Sequence, residues 1–202
     1  MAATDTPDLS RRAVTGGFAD PVFDAQAVFS AILQALSRPG SILDVGGRAG
    51  PPELLSPAQA AILLALCDAD TPVHVEAASQ TLGAWLGFQT SARLGEPAEA
   101  LFAVVRRFDG AALEAFPLGT LSYPDRSATL LVEVAAFGSG KRLRLSGPGI
   151  SGVTTVRIAG LGDDFLKARA ANRALFPCGL DLVLTCGTKI LALPRTTLVE
   201  EA

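Results

Sequence analysis

Apolar positions along the chain switch between two periods, and the switches mark out the elements. Ala25, Val28, Phe29, Ile32, Leu33 and Leu36 fall at helical spacing. They predict a helix from a cap at Asp24 to about Arg38, stopped by Pro39-Gly40. Ser56-Pro57 opens a second helix, with serine as N-cap and proline at the first position. Its body, AQAAILLALCDA, is apolar nearly all round and predicts burial on most sides. A third, shorter helix spans 78–88 and holds Trp85, a helical turn spans 111–116, and a further helix spans 163–175. Short runs at 41–45, 71–76, 101–106, 129–136, 141–145, 153–159, 180–186 and 189–193 read as strands. The last two flank Gly187-Thr188 and predict a hairpin. Helices mixed with runs of adjacent strands predict an α/β fold, a mixed sheet flanked by helices in three layers.

Composition narrows this picture. The chain has 202 residues, 49% hydrophobic and 18% charged, which suits one domain over 21–202 behind a flexible tail at 1–20. A net charge of -3 and a pI near 5.2 argue against nucleic-acid binding. No run of about 18 apolar residues predicts a membrane span. Residues 1–20 lack an apolar segment typical of export, so a cytoplasmic chain with reduced cysteines is expected. Fourteen arginines stand against three lysines. Arginine suits bidentate contacts to carboxylate or phosphate, although GC-rich codon usage gives the same bias.

Candidate chemistry is sparse. Cys178 and Cys186 lie eight apart with no histidine nearby, which does not fit structural zinc, and no metal is expected. The one histidine, His74, lies in TPVHVE, and no G-x-S-x-G elbow supplies a serine partner. Asp68-Ala69-Asp70 offers either a carboxylate pair for a cation or a turn held by Asx bonds. Gly138-Ser139-Gly140-Lys141 fails as a P-loop: Ala135 stands where the first glycine belongs, and Arg142 where serine or threonine does. Ser146-Gly147-Pro148-Gly149 reads as a hairpin turn, and Gly160-Leu161-Gly162 precedes two aspartates that repel a phosphate. Arg142 and Arg144 alternate with Leu143 and Leu145, so the arginines share one strand face. That face is either an anion or acidic-partner surface or a solvated one. Arg38 and Arg195, the latter followed by Thr196 and Thr197, stand at element ends. Each either binds an anion or caps local carbonyls.

Five segments in order carry a resemblance. They are Phe23-Asp24-Ala25-Gln26, Ser37-Arg38-Pro39-Gly40, Leu63 to Val73 (LLALCDADTPV), Arg142 to Ile150 (RLRLSGPGI) and Phe176 to Thr197 (FPCGLDLVLTCGTKILALPRTT). Together, over about residues 20–200, the chain resembles the PhnH family, the H subunits of carbon–phosphorus lyase. The resemblance implies a subunit that assembles with G, I and J subunits, forms a homodimer when isolated, and serves organophosphonate breakdown when phosphate is scarce. It places the family in the step where a phosphonate displaces the adenine of ATP, giving a ribose 1-phosphonate 5-triphosphate. It implies a fold like a reduced pyridoxal-phosphate transferase without its cofactor. Lys141, Lys167 and Lys189 offer no pocket setting for a Schiff base, so no cofactor is expected. The resemblance carries over no catalytic residue. The anion-binding or partner-contact candidates are Arg38, Arg142, Arg144, Arg195, Thr196, Asp68 and Asp70. An accessory subunit and a stand-alone small enzyme or binding protein for a phosphorylated metabolite both stand as readings, and the poor acid–base inventory favours the first.

Overall fold

The computed structural model describes residues 13–52 and 54–202. Helix α1 (Pro21–Ser37) starts earlier than the apolar stripe suggested. Its cap is Asp20, whose carboxylate accepts from Phe23 N at 3.3 Å, while Asp24 Oδ2 accepts from Asp20 N at 3.0 Å. Asp24 is therefore the returning half of a reciprocal cap. Proline at N1 follows Asp20 as it follows Ser56 before α2 (Pro57–Leu66). Ser56 and Gln59 close a full capping box there. Cys67 turns extended and ends α2 three residues before the predicted limit. Helices α3 (Gln80–Thr90), α4 (Gly110–Ala115) and α5 (Phe165–Ala174) follow along the chain.

Strands divide into two sheets where the pattern suggested one. The larger holds β1 (Leu43–Asp44), β2 (Val73–Val75), β3 (Phe102–Val105), β4 (Thr129–Glu133), β7 (Asp181–Cys186) and β8 (Lys189–Leu193), in the order β1-β8-β7-β4-β3-β2. Strands β2, β3, β4 and β7 run parallel, and the predicted β7–β8 hairpin adds an antiparallel edge closed by β1. The smaller sheet is antiparallel, β6 (Thr154–Ala159), β5 (Ala136–Ser146) and β9 (Leu198–Glu201).

Burial explains the division. Strands β4, β7 and β8 send alternate residues to opposite cores, so both their faces are apolar. Leu131, Val183, Ile190 and Ala192 join α1, α2 and α3 on one face. Leu130, Leu182, Leu184, Leu191 and Leu193 join α4, α5 and the small sheet on the other. Leu143, Leu145, Val156, Ile158 and Val199 give the small sheet one apolar face and leave the other to solvent. The three layers are thus helices, sheet, and a mixed layer of helix and sheet. That third layer corrects the expectation of helices on both sides.

Two further differences follow from what covers what. Of the apolar stripe on α1, Val28 and Ile32 are buried, as is Ala35, but Phe29 and Leu33 stay 45% and 51% exposed beside Val22 at 73%. The stripe is wider than the contact α1 makes. Residues 1–12 of the expected tail lie outside the described residues. Ala13 is buried, Gln89 Nε2 donates to its carbonyl at 3.1 Å, and Trp85 Nε1 donates to Thr15 O at 2.9 Å.

Candidate functional site

Arg195 leaves β8 and folds back into the protein. Its backbone N–H and Nε donate to Asp181 Oδ1 at 2.7 and 3.2 Å, and Nη2 donates to Asp181 Oδ2 at 2.5 Å. Nη1 donates to Pro124 O at 2.7 Å and Pro177 O at 3.3 Å, and Nη2 also donates to Ser127 Oγ. Every guanidinium nitrogen is engaged, so Arg195 ties the starts of β4 and β7 to the exit of β8. It shares none of these partners with Arg38. Thr196 brings its carbonyl within 3.0 Å of where a Cβ on Gly147 would stand, a backbone approach at φ +129° that glycine permits.

A second arginine was not among the candidates. Arg169 in α5 is 2% exposed. Its Nη2 donates to Pro194 O at 2.9 Å and Thr197 O at 3.0 Å, and its Nη1 to Leu193 O at 3.4 Å. Burial pulls its pKa down to about 10. One turn on, the Asn172 amide exchanges two bonds with Leu180, at 2.8 and 2.9 Å. The signal lay in the sequence: Arg169 and Asn172 share the helix face of Phe165 and Ala168, where only core residues belong.

The acidic and sulfur candidates serve local structure. Asp68 Oδ1 accepts from Asp70 N at 3.0 Å, and Thr71 Oγ1 donates to Asp68 O at 2.9 Å, so this segment is the Asx-type turn weighed against the cation pair. Cys67 is buried, which pushes its thiol up to about 12. Among the described residues no three His, Cys, Asp or Glu cluster as metal ligands. His74 Nδ1 donates to Gly95 O at 3.1 Å, and its ring packs edge-on against Phe116. The lysines do not fit pyridoxal phosphate. Lys141 faces Asp163 at 3.7 Å and Lys189 is exposed on the hairpin. Lys167 borders a small hollow of about 200 Å³ with Gly110, Asp164, Ala168 and Ala171, which offers a phosphate neither arginine nor hydroxyl.

Among the described residues, a face and two hollows stay open. Antiparallel register sets Arg142 opposite Arg157, and Arg144 opposite Thr155 and Glu200. All three arginines are exposed on the outer face of the small sheet, and none has an ion pair among the described residues. Like charges directly opposite in a sheet are unfavourable, so this face stores a charge excess. The first hollow, about 350 Å³, lies at the carboxyl ends of β2, β3 and β4, beside the start of α2. That is where open parallel sheets bind ligands. Here Glu133 accepts from Gly187 N at 3.0 Å and from Thr185, and Glu76 accepts from Arg106 N at 3.0 Å, so its carboxylates are already committed. The second hollow, about 400 Å³, is lined by Arg38, Pro39, Gly40 and Ser41 and by Gly149, Ile150, Ser151, Val153 and Thr154. It unites two of the five resembling segments, which lie about a hundred residues apart.

The model of the bacterial phosphonate metabolism protein PhnH matches residues 16–200. A curated relative from Rhizobium meliloti (strain 1021), named alpha-D-ribose 1-methylphosphonate 5-triphosphate synthase subunit PhnH, is 46% identical over 195 residues, covering 92% of this chain and 95% of its own. A second, from Stutzerimonas stutzeri, named putative C-P lyase subunit protein HtxG, is 33% identical over 180 residues, covering 85% of this chain and 84% of its own. Identity at this level over nearly the whole length of both chains places the five ordered segments in one lineage: the chain belongs to the PhnH family of bacterial phosphonate metabolism proteins.

Proposed function

We propose that this chain is an accessory subunit of the carbon–phosphorus lyase machinery. It supports the step in which ATP and a phosphonate give a ribose 1-phosphonate 5-triphosphate and adenine. Residues 21–202 act as one domain, in the cytoplasm, under phosphate starvation. The carrying observation is how the chain uses its polar residues. Arg195, Arg169, Asp68, Asp181 and His74 hold the fold together, whereas no described residue covers the arginine face or the apolar strip on α1. A catalyst concentrates perturbed, convergent groups in a cleft; a subunit leaves surfaces to be buried by others.

The partners are the G, I and J subunits. The arginine face suits an acidic surface of one of them, and the strip of Val22, Phe29 and Leu33 suits a second copy when the chain is isolated. The fold is a reduced relative of the pyridoxal-phosphate transferases that has lost the cofactor, a reading supported by the settings of the three lysines.

Two outcomes test this. The purified chain, given ATP and methylphosphonate, releases no adenine above the uncatalysed background; release at about 1 s⁻¹ or faster overturns the accessory reading. Incubated with pyridoxal phosphate and treated with borohydride, the chain acquires no adduct on Lys141, Lys167 or Lys189. A trapped pyridoxyl-lysine seen by mass spectrometry contradicts the loss of the cofactor.

A further inference from the structure

We propose that the hollow between the end of α1 and the β5–β6 turn binds a tetrahedral oxyanion, the phosphate or phosphonate group of a small molecule. Its walls are held close by two glycines. A Cβ on Gly149, at φ +80°, would stand 2.2 Å from Ser37 O, and one on Gly40, at φ +90°, would stand 2.9 Å from Leu145 Cδ1. No other residue fits either place without moving backbone or core. The close approach of the two loops is therefore built into the sequence.

Beside the apolar Pro39, Ile150 and Val153, the polar side chains that line the space are all donors. Arg38 supplies a cation, and Ser41, Ser151 and Thr154 supply hydroxyls. Among the described residues none of these four side chains has a hydrogen bond or ion pair to the protein, in contrast to Arg195, Arg169 and Arg48. Among the described residues no carboxylate lines the hollow, although the chain carries 20 acids against 17 bases. The carboxyl-end crevice, by comparison, is bordered by Glu76 and Glu133.

This donor set selects the ligand class. A guanidinium spans two oxygens of an oxyanion as a fork. Three hydroxyls in the same hollow supply donors for the further lone pairs of a tetrahedral dianion, more than the two oxygens of a planar carboxylate need. A volume of 400 Å³ exceeds the oxyanion alone and lies within the range of small-molecule sites, so the organic remainder has room. The site deepens the proposed function and rests on it for the choice of methylphosphonate as a probe; the donor set stands without it.

The test is titration of the full chain with inorganic phosphate, methylphosphonate and tripolyphosphate. It is followed by calorimetry and by the amide signals of Gly40, Ser151 and Gly152. Saturable binding that shifts those signals and weakens about tenfold or more in Arg38→Ala, but not in Arg195→Ala, is the expected result. Tighter binding of methylphosphonate or tripolyphosphate than of phosphate assigns the site to a metabolite; equal binding assigns it to free phosphate, and both support the oxyanion. Arg38 is exposed, so Arg38→Ala retains the parent's melting temperature. No saturation by any probe up to about 10 mM overturns the proposal, since a site with a Kd of about 1 mM is already about nine-tenths full there. Binding indifferent to Arg38→Ala also overturns it. If Arg38→Ala binds partner subunits no longer and the parent binds no probe, the hollow is a protein contact and the proposal falls. If no probe binds while the chain still co-purifies with partner subunits, the hollow fails and the subunit reading stands.

Discussion

Arg195→Ala is expected to lower the stability of the fold by about 3 kcal/mol, the cost of removing one partner from a partly buried, hydrogen-bonded charge pair. The substitution strands the Asp181 carboxylate and leaves Pro124 O, Pro177 O and Ser127 Oγ without their donor. These groups sit at the start of β4, the start of β7 and the loop after α5, so one side chain closes three crossings of the chain. For a domain this size the loss corresponds to about 6–12 °C in melting temperature. Arg195→Lys does not restore it, because an ammonium cannot span Asp181, Ser127 and two carbonyls at once. Asp181→Ala measured alone and combined with Arg195→Ala completes a cycle, with a coupling of about 1 kcal/mol or more expected between residues in direct contact. A variant that melts within about a degree of the parent contradicts the clasp.

The second large effect concerns assembly. Reversing the outer face of the small sheet, with Arg142→Glu, Arg144→Glu and Arg157→Glu together, is expected to weaken association with partner subunits about a hundredfold or more, since like-charge juxtaposition at an interface costs several kcal/mol. The fold tolerates the change. Leu143, Leu145, Val156 and Ile158, which hold that sheet to the core, point the other way and are untouched. The parent's association rate falls as salt rises towards about 0.5 M, because steering by exposed charge is screened. A reversed face that co-purifies with the same partners at the same yield removes this surface from the interface.

Much of the fold was legible because local chemistry dictated it. Ser56-Pro57 announced α2, Gly187-Thr188 announced the β7–β8 turn, and the Arg–Leu alternation of β5 gave both its faces correctly. The cap of α1 is Asp20 and not Asp24, because an acid in the first turn and an acid at the cap look alike in sequence; Pro21 is the discriminating mark. Strand β9 was missed because LVEE is short and offers one buried residue, Val199; it is a strand only because β5 lies beside it. The split into two sheets was equally a matter of long-range pairing.

The candidate residues divide along the same line. Arg195 and Asp181 lie 14 apart, and Arg195 and Pro124 lie 71 apart, so nothing local revealed the clasp. Arg38 and the Ser146-Gly147-Pro148-Gly149 turn stood as separate motifs, and only tertiary packing sets Arg38 and Gly149 beside one hollow. Of the stripe on α1, Val28 and Ile32 are buried while Phe29 and Leu33 are exposed, and Ala35 outside it is buried: periodicity says that a face is apolar, not which neighbour buries it.

The central claim, that the chain works as a subunit and not alone, is tested most directly by affinity capture of the tagged protein from phosphate-starved cells. The captured material is assayed for adenine release from ATP plus methylphosphonate, beside the purified chain. The account predicts that the captured material holds other subunits of the phosphonate machinery in fixed ratio and is active, while the purified chain is inert. Capture of the chain without such partners, or equal activity per molecule in the purified chain, contradicts it.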